Sequence, residues 1–355
     1  MNEKLGVIST GIKLPIIREG DDLVKIVTNS VLHYERLGSG YLLKDNSIVG
    51  ITESIVARAQ GNYVTVDEIG DEIVKYFGKR HIMVYKPIYS RNRFGVILRA
   101  FARASKGNVT IVMPQFDEVG NPSFTNPFSG VNIEEYYRQI VESEGRSCVI
   151  FNNDPPFYPE EGDDYLIVDC GLHNVSEWPC TFMANLKDIC SDKCEWGLLG
   201  SNKASDEKLK LFPNKKKAQK LVEDIQNELY KLTGKHIIVC IYGDGCFKDP
   251  VGGIWEFADP VTMPAYTDKE LIESTPNELK VKALADDKFA DLNGRELLEA
   301  MENEIANKEK NLVGSMQSQG TTPRMYRDLL ASLMDLTSGS GDRCTPVVLI
   351  QNYFN

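Results

Sequence analysis

Two rhythms of apolar residues alternate along the chain. Short unbroken apolar runs, mostly β-branched, mark strands buried on both faces. They fall at residues 5–8, 47–51, 81–84, 109–113, 148–151, 165–169, 237–242 and 346–350. Between them lie longer segments in which apolar residues return every three or four positions, the spacing of one buried helix face. Leu23, Ile26, Val27 and Val31 set one such face, with Asp21 or Asp22 as its cap. Ala218, Leu221, Val222, Ile225, Leu229 and Leu232 set another, in a helix over 215–232 that Gly234 ends. Further helices are expected at 55–61, 90–104, 133–141, 182–189, 270–274, 277–285, 294–306 and 326–336. Thr52, Glu53 and Ser54 open the helix at 55, a start that can receive an anion or be a plain cap.

From residue 85 to 196 the order strand, loop, helix repeats, which predicts a parallel sheet covered on both faces. Asp117, Asn152, Asn153, Asp154 and Asp169 fall at or beyond its strand ends, where open α/β sheets bind ligands and where loop caps also occur. The expected class is α/β, a mixed α+β fold.

Composition narrows the function. The chain has 355 residues, 42% of them hydrophobic, enough for a large core without staples. A net charge of -11 argues against non-specific nucleic-acid binding, and no apolar run has the length of a membrane span. No charged-then-apolar leader opens the chain, so a cytoplasmic protein is expected. Cys180, Cys190 and Cys194 cluster near His173, but without the paired spacing of a zinc site.

The densest candidate chemistry follows the apolar run at 237–242. It stops at Gly243, Asp244 and Gly245, which deliver a carboxylate to the end of a rigid core strand. Asp249, Glu256 and Asp259 follow in a Gly- and Pro-rich stretch with Trp255. Arg91 and Arg93, at an expected helix start, are candidates for gripping a substrate carboxylate, or partners of acidic neighbours. The Gly- and hydroxyl-rich loop at 337–343 offers backbone N–H groups to a phosphate, and it is not a Walker loop.

Five separated segments together resemble the gamma-glutamyl ligases that add L-glutamate to the precursor of the deazaflavin coenzyme F-420. They are Gly11 to Leu23 with Leu14, Pro15, Ile16 and Ile17; Ile51 to Gly61; Gly200, Ser201 and Asn202; Thr233 to Gly253; and Ser338 to Val348. The likeness covers roughly residues 5–62 and 197–355. It implies a discontinuous nucleotide-binding domain, 1–84 with 197–355, and an inserted α/β lobe over 85–196. Longer ligase-like proteins of anaerobic bacteria look similar across the lobe too.

The resemblance also implies a GTP-dependent ligase that works with Mg or Mn as an intertwined homodimer. Leu14, Pro15, Ile16, Ile17, Glu53, Ser54, Arg58, Asn202, Ser338, Gly339, Ser340, Gly341 and Asp342 would contact nucleotide. Asp244 would hold metal and, with Arg58, carry catalysis. The partners implied are a carboxylate acceptor and L-glutamate or a similar amine. Three departures stand out. The family's Asp before its Ala-Ser-Asn turn is Leu199 here, its acidic ligand in the terminal loop is Ser338 or Ser340, and its Lys is Arg58. A leucine offers no oxygen to a hard cation, so either Asp249, Glu256 or Asp342 replaces the lost ligands or the site keeps one metal. Two other readings compete: a nucleotide-binding regulatory protein without turnover, and a metal-dependent phosphohydrolase.

Overall fold

The structure is a computed structural model. It describes residues 6–36, 43–87, 93–116, 123–125, 130–152, 159–160, 162–170, 182–244, 261–273, 279–308, 325–339 and 343–354. In chain order the strands are β1 (Ile8–Ile12), β2 (Ile48–Thr52), β3 (Tyr63–Thr65), β4 (His81–Tyr85), β5 (Asn108–Met113), β6 (Ser147–Asn152), β7 (Tyr165–Asp169), β8 (Met183–Asn185), β9 (Ser201–Ser205), β10 (Lys208–Leu211), β11 (Ile238–Tyr242), β12 (Ala265–Tyr266) and β13 (Val347–Gln351). The helices are α1 (Leu23–Arg36), α2 (Glu53–Ala59), α3 (Val66–Phe77), α4 (Phe94–Ala104), α5 (Ile133–Ser143), α6 (Lys215–Thr233), α7 (Glu270–Glu273), α8 (Val281–Asp286), α9 (Gly294–Ala306) and α10 (Tyr326–Ser338). No helix among the described residues is long and apolar enough to cross a membrane.

Two compact units divide the chain: residues 268–330, and everything else. The smaller unit holds α7, α8, α9 and the first residues of α10. The larger contains all three sheets.

The first sheet has the order β1-β13-β2-β11-β12. β11 runs parallel to β2, and β13 runs antiparallel to both β1 and β2. Strand alternation sorts its side chains. Val49, Ile51, Val239, Ile241, Val347 and Leu349 join one apolar cluster with Val27 and Val31 of α1 and Val222 and Ile225 of α6. Gly50, Cys240 and Tyr242 take the other face. There the Met334 sulfur of α10 lies 3.9 Å from the Cys240 sulfur. Of the strand expected over 5–8, Leu5 lies outside the described residues, and the pairing begins at Ile8 and runs to Ile12 opposite Val347 to Gln351.

A second sheet, β6-β5-β4-β7-β8, is parallel throughout. Its central strand β4 lies at 81–85, at the edge of the segment expected as an inserted lobe. Helices α3, α4 and α5 share one cluster with Ile82, Val84, Val109, Ile111, Leu166 and Val168. The opposite face carries the small cluster Met83, Val112 and Ile167, packed with Tyr85, Tyr165 and Met183. Among the described residues the helices thus cover one face, where two were expected. The chain passes from β6 to β7 and from β7 to β8 without a helix among those residues. Met183 to Asn185, expected in a helix, pairs instead with Ile167 to Asp169 as the sheet's edge strand. Pairing to a formed neighbour overrides the local preference.

The third sheet, β3-β10-β9, is antiparallel and small. Lys208, Leu209, Lys210 and Leu211 alternate polar and apolar along β10. Leu209 and Leu211 enter the core shared with the parallel sheet. Lys210 points the other way, towards α2.

Candidate functional site

The end of β11 and the start of α2 lie side by side because β11 and β2 are parallel neighbours. Tyr242 is in register with Thr52, so the chain leaves both strands at one edge of the sheet. Asp244 follows β11, and Ser54, Ile55 and Arg58 follow β2. β13 enters the sheet at the same edge: its first residue, Val347, pairs with Ile51 of β2 and Ile12 of β1. The Thr52 N–H donates to the Pro346 carbonyl at 3.0 Å, and the Leu14 N–H donates to the Cys344 carbonyl at 3.1 Å.

Those contacts close a pocket of about 310 Å³. Its lining includes Leu14, Pro15, Ile16, Ile17, Ser54, Arg58, Asp244, Ser338 and Gly339, all expected from sequence, and also Thr52, Ile55, Asp335, Cys344, Thr345 and Pro346. The size suits a small-molecule site. Leu14 and Ile17 are buried and Ile16 is 76% exposed, so the apolar wall runs from core to lip. Arg58 is exposed and makes no ion pair among the described residues.

Asp335 was not anticipated. A carboxylate inside a helical pattern reads as solvated surface, and only the placement of α10 turns it inward. The α10 end is fixed by local bonds. The Gly339 N–H donates to the Asp335 carbonyl at 3.0 Å, and the Thr345 hydroxyl donates to the Ser338 carbonyl at 2.7 Å. Gly339 has φ +63, the left-handed region, where a Cβ would also meet Arg343 Cδ at 3.0 Å. Beneath this wall the Tyr242 phenol is 1% exposed, with Ser338, Asp335 and Asp244 about it. Burial chiefly, and then the two carboxylates, push its pKa well above the ordinary phenol value.

Behind Ser54 lies a buried ion pair. The Lys210 ammonium donates to Glu53 Oε1 at 3.2 Å and to Ser54 Oγ at 2.7 Å. Asn202 Nδ2 donates to the same Glu53 oxygen at 3.2 Å. The Glu53 and Lys210 side chains are 4% and 9% exposed. Glu53 and Asn202 therefore meet each other beside the pocket rather than lining it. Lys210 was missed as well. Its signal was the period-two alternation of β10, which puts a lysine opposite two core leucines.

The remaining expected residues fall elsewhere. Arg93 is 3% exposed and donates to the Ser201 carbonyl, so it is not among the pocket lining. Leu199 is buried in the apolar core. Cys190 and Cys194 are buried, and burial pushes the Cys194 thiol up to about 11. Asn152 and Asp169 end β6 and β7, and Asp169 is buried. Arg91, Asp117, Asn153, Asp154, His173, Cys180, Asp249, Trp255, Glu256, Asp259, Ser340, Gly341 and Asp342 lie outside the described residues.

Among the described residues no group of three or more His, Cys, Asp or Glu is arranged to hold a metal ion. Asp244 and Asp335, with Ser54, Thr52 and Thr345 on the same lining, are nevertheless oxygen donors, the chemistry that Mg or Mn takes. The donor types fit such an ion, while Leu199 does not.

An apolar wall, a guanidinium and two carboxylates line one pocket where the strands of a mixed α/β sheet end. The chain belongs to the family described as F420-0:Gamma-glutamyl ligase, which matches residues 11–352. The matched range includes the parallel sheet and so reaches beyond the two stretches seen in the sequence. Its activity is accordingly of the ligase type. A comparison with curated proteins gives no match.

Proposed function

We propose that the protein forms an amide bond between a carboxylic acid and the amine of L-glutamate or a similar amino acid, driven by a nucleoside triphosphate, GTP by family likeness. A carboxylate oxygen of the acceptor attacks the terminal phosphorus, and the nucleoside diphosphate leaves. The amine then attacks the carbonyl carbon of the acyl phosphate, inorganic phosphate leaves, and the amine's proton passes to solvent. Phosphoryl transfer of this kind depends on positioning and charge neutralisation more than on a protein nucleophile.

The observation that carries this reading is the meeting of Arg58, Asp244 and Asp335 in one pocket with an apolar wall. Leu14, Pro15, Ile16, Ile17 and Ile55 would hold the base. Arg58 would neutralise phosphate oxygens, with Ser54, Ser338 and Gly339 as hydrogen-bonding partners. Asp244 and Asp335 would hold Mg or Mn, and a bound divalent ion supplies further neutralisation of the phosphate charge. We also assign the active form to a homodimer, which light scattering tests.

The test is phosphate release from GTP or ATP by purified protein with Mg or Mn and a panel of acids and amino acids. The expected result is release that requires both an acid and an amine, and that Asp244→Asn abolishes. Release without an acceptor would instead make the protein a phosphohydrolase. Saturable nucleotide binding with no release under any condition would make it a regulatory binder.

A further inference from the structure

The Glu53–Lys210 pair is costly to bury. Each ion loses several kcal/mol of hydration on entering an apolar interior, and similar pairs are often replaced by apolar residues without loss of stability. β10 itself asks only for a residue that packs against α2. Lys210 has Leu209 and Leu211 as neighbours, both 0% exposed. A buried ammonium at this position therefore calls for a reason other than folding.

Its hydrogen bonds supply one. An ammonium has three N–H donors. One goes to Glu53 Oε1 and one to Ser54 Oγ, the latter at 2.7 Å, the shorter of the two. Ser54 is the member of this group that lines the pocket. A serine oxygen that accepts from an ammonium cannot turn its own proton back towards that nitrogen. The Ser54 O–H is thus directed away from Lys210 and is polarised by the charge behind it. Glu53, held in turn by Asn202, fixes the ammonium in place.

We infer that Lys210 is a positioning residue for phosphate: it orients and polarises the Ser54 hydroxyl as a hydrogen-bond donor to a phosphoryl oxygen in the pocket. This deepens the ligase reading and rests on it for the identity of the phosphate. It also gives the pocket an anion-binding element made of protein alone, so part of its phosphate affinity should persist in a chelator.

The test is calorimetric titration with inorganic tripolyphosphate in EDTA. Wild type is expected to bind, Lys210→Met to bind at least about tenfold more weakly, and Lys210→Arg to recover most of the loss. Ser54→Ala should weaken binding by a similar factor. Adding Lys210→Met to Ser54→Ala should then cost little more, the non-additivity of one residue acting through another. If Lys210→Met does not fold because the buried Glu53 loses its countercharge, the neutral double variant Glu53→Gln with Lys210→Met carries the same comparison. Equal binding by Lys210→Met and wild type, additive losses, or no binding by wild type would each overturn the inference. Binding as expected, with no phosphate release from any nucleotide and acceptor, would leave Lys210 in this role and remove the ligase reading instead.

Discussion

Arg58 and Cys344 line the same pocket and lend themselves to opposite tests. Arg58 is exposed and its guanidinium pairs with no carboxylate among the described residues, so its loss should leave stability almost untouched. Arg58→Ala should lower nucleotide-dependent phosphate release by about a hundredfold while the melting temperature moves by less than about 2 °C. A parallel fall in melting temperature would mean that Arg58 holds the fold and not the substrate. Cys344 is exposed, whereas Cys148, Cys170, Cys190, Cys194 and Cys240 are buried. Burial raises the Cys148 thiol to about 11 and the Cys240 thiol to about 12, and reactivity follows the thiolate. At pH 8, peptide mapping after brief alkylation should find Cys344 modified first among these six, and saturating nucleotide should slow it. Unchanged labelling with nucleotide bound would place the ligand elsewhere.

At the scale of elements, α10 must sit at one height on the sheet for Asp335 and Ser338 to face Asp244. Gly50 sets that height. A Cβ there would lie 2.2 Å from Met334 Sδ and 2.8 Å from its Cε. Gly50→Ala should therefore lift α10, cost about 1–3 kcal/mol of stability in urea unfolding, and weaken nucleotide binding. Met334→Ala alone should destabilise by leaving a void. Combined, the two should cost less than their sum, since the new methyl enters the space the methionine leaves. Strict additivity would show that Gly50 and Met334 do not meet. This contact was not legible in the sequence, where Gly50 reads as one residue of a strand. The elements themselves were more legible. The 3.6-residue spacing of α1 and α6 and the caps at Asp22 and Gly234 reappear nearly in place, with the Lys25 N–H donating to Asp22 Oδ1 at 3.1 Å and Gly234 at φ +70. Short elements that depend on a partner were not. β8, β9 and β10 hold no unbroken apolar run and form by pairing with β7, with β10, and with β3 and β9 respectively.

At the scale of the whole chain, the pocket draws on segments from 14 to 346, and what joins them is the insertion of β13 between β1 and β2. Nothing in composition or spacing announces such a pairing across the length of the chain. The ordered likeness of five segments to one family pointed to a shared pocket but not to this pairing, while Asp335 and Lys210 appear only in three dimensions. Long-range packing also sets how the protein responds to alkali. Cys148 and Cys194 lie in the core of the parallel sheet, and Cys240 lies within the first sheet. Burial raises them from the ordinary 9.0 to about 11, about 11 and about 12. Below about pH 9 both folded and unfolded thiols are protonated, and the stability is intact. Above it the unfolded chain releases these protons and the folded chain keeps them, so stability falls as pH rises towards the folded values. Each thiol should remove about 1.4 kcal/mol per pH unit across that window. Tyr242, raised in the same direction by its burial, adds to the loss once free phenols ionise. Urea midpoints measured from pH 8 to 10.5 should hold steady and then drop, and Cys148→Ala should make the drop shallower while lowering the plateau. A midpoint that stays level to pH 10.5 would mean these thiols ionise as readily in the folded protein as outside it, which their burial does not permit.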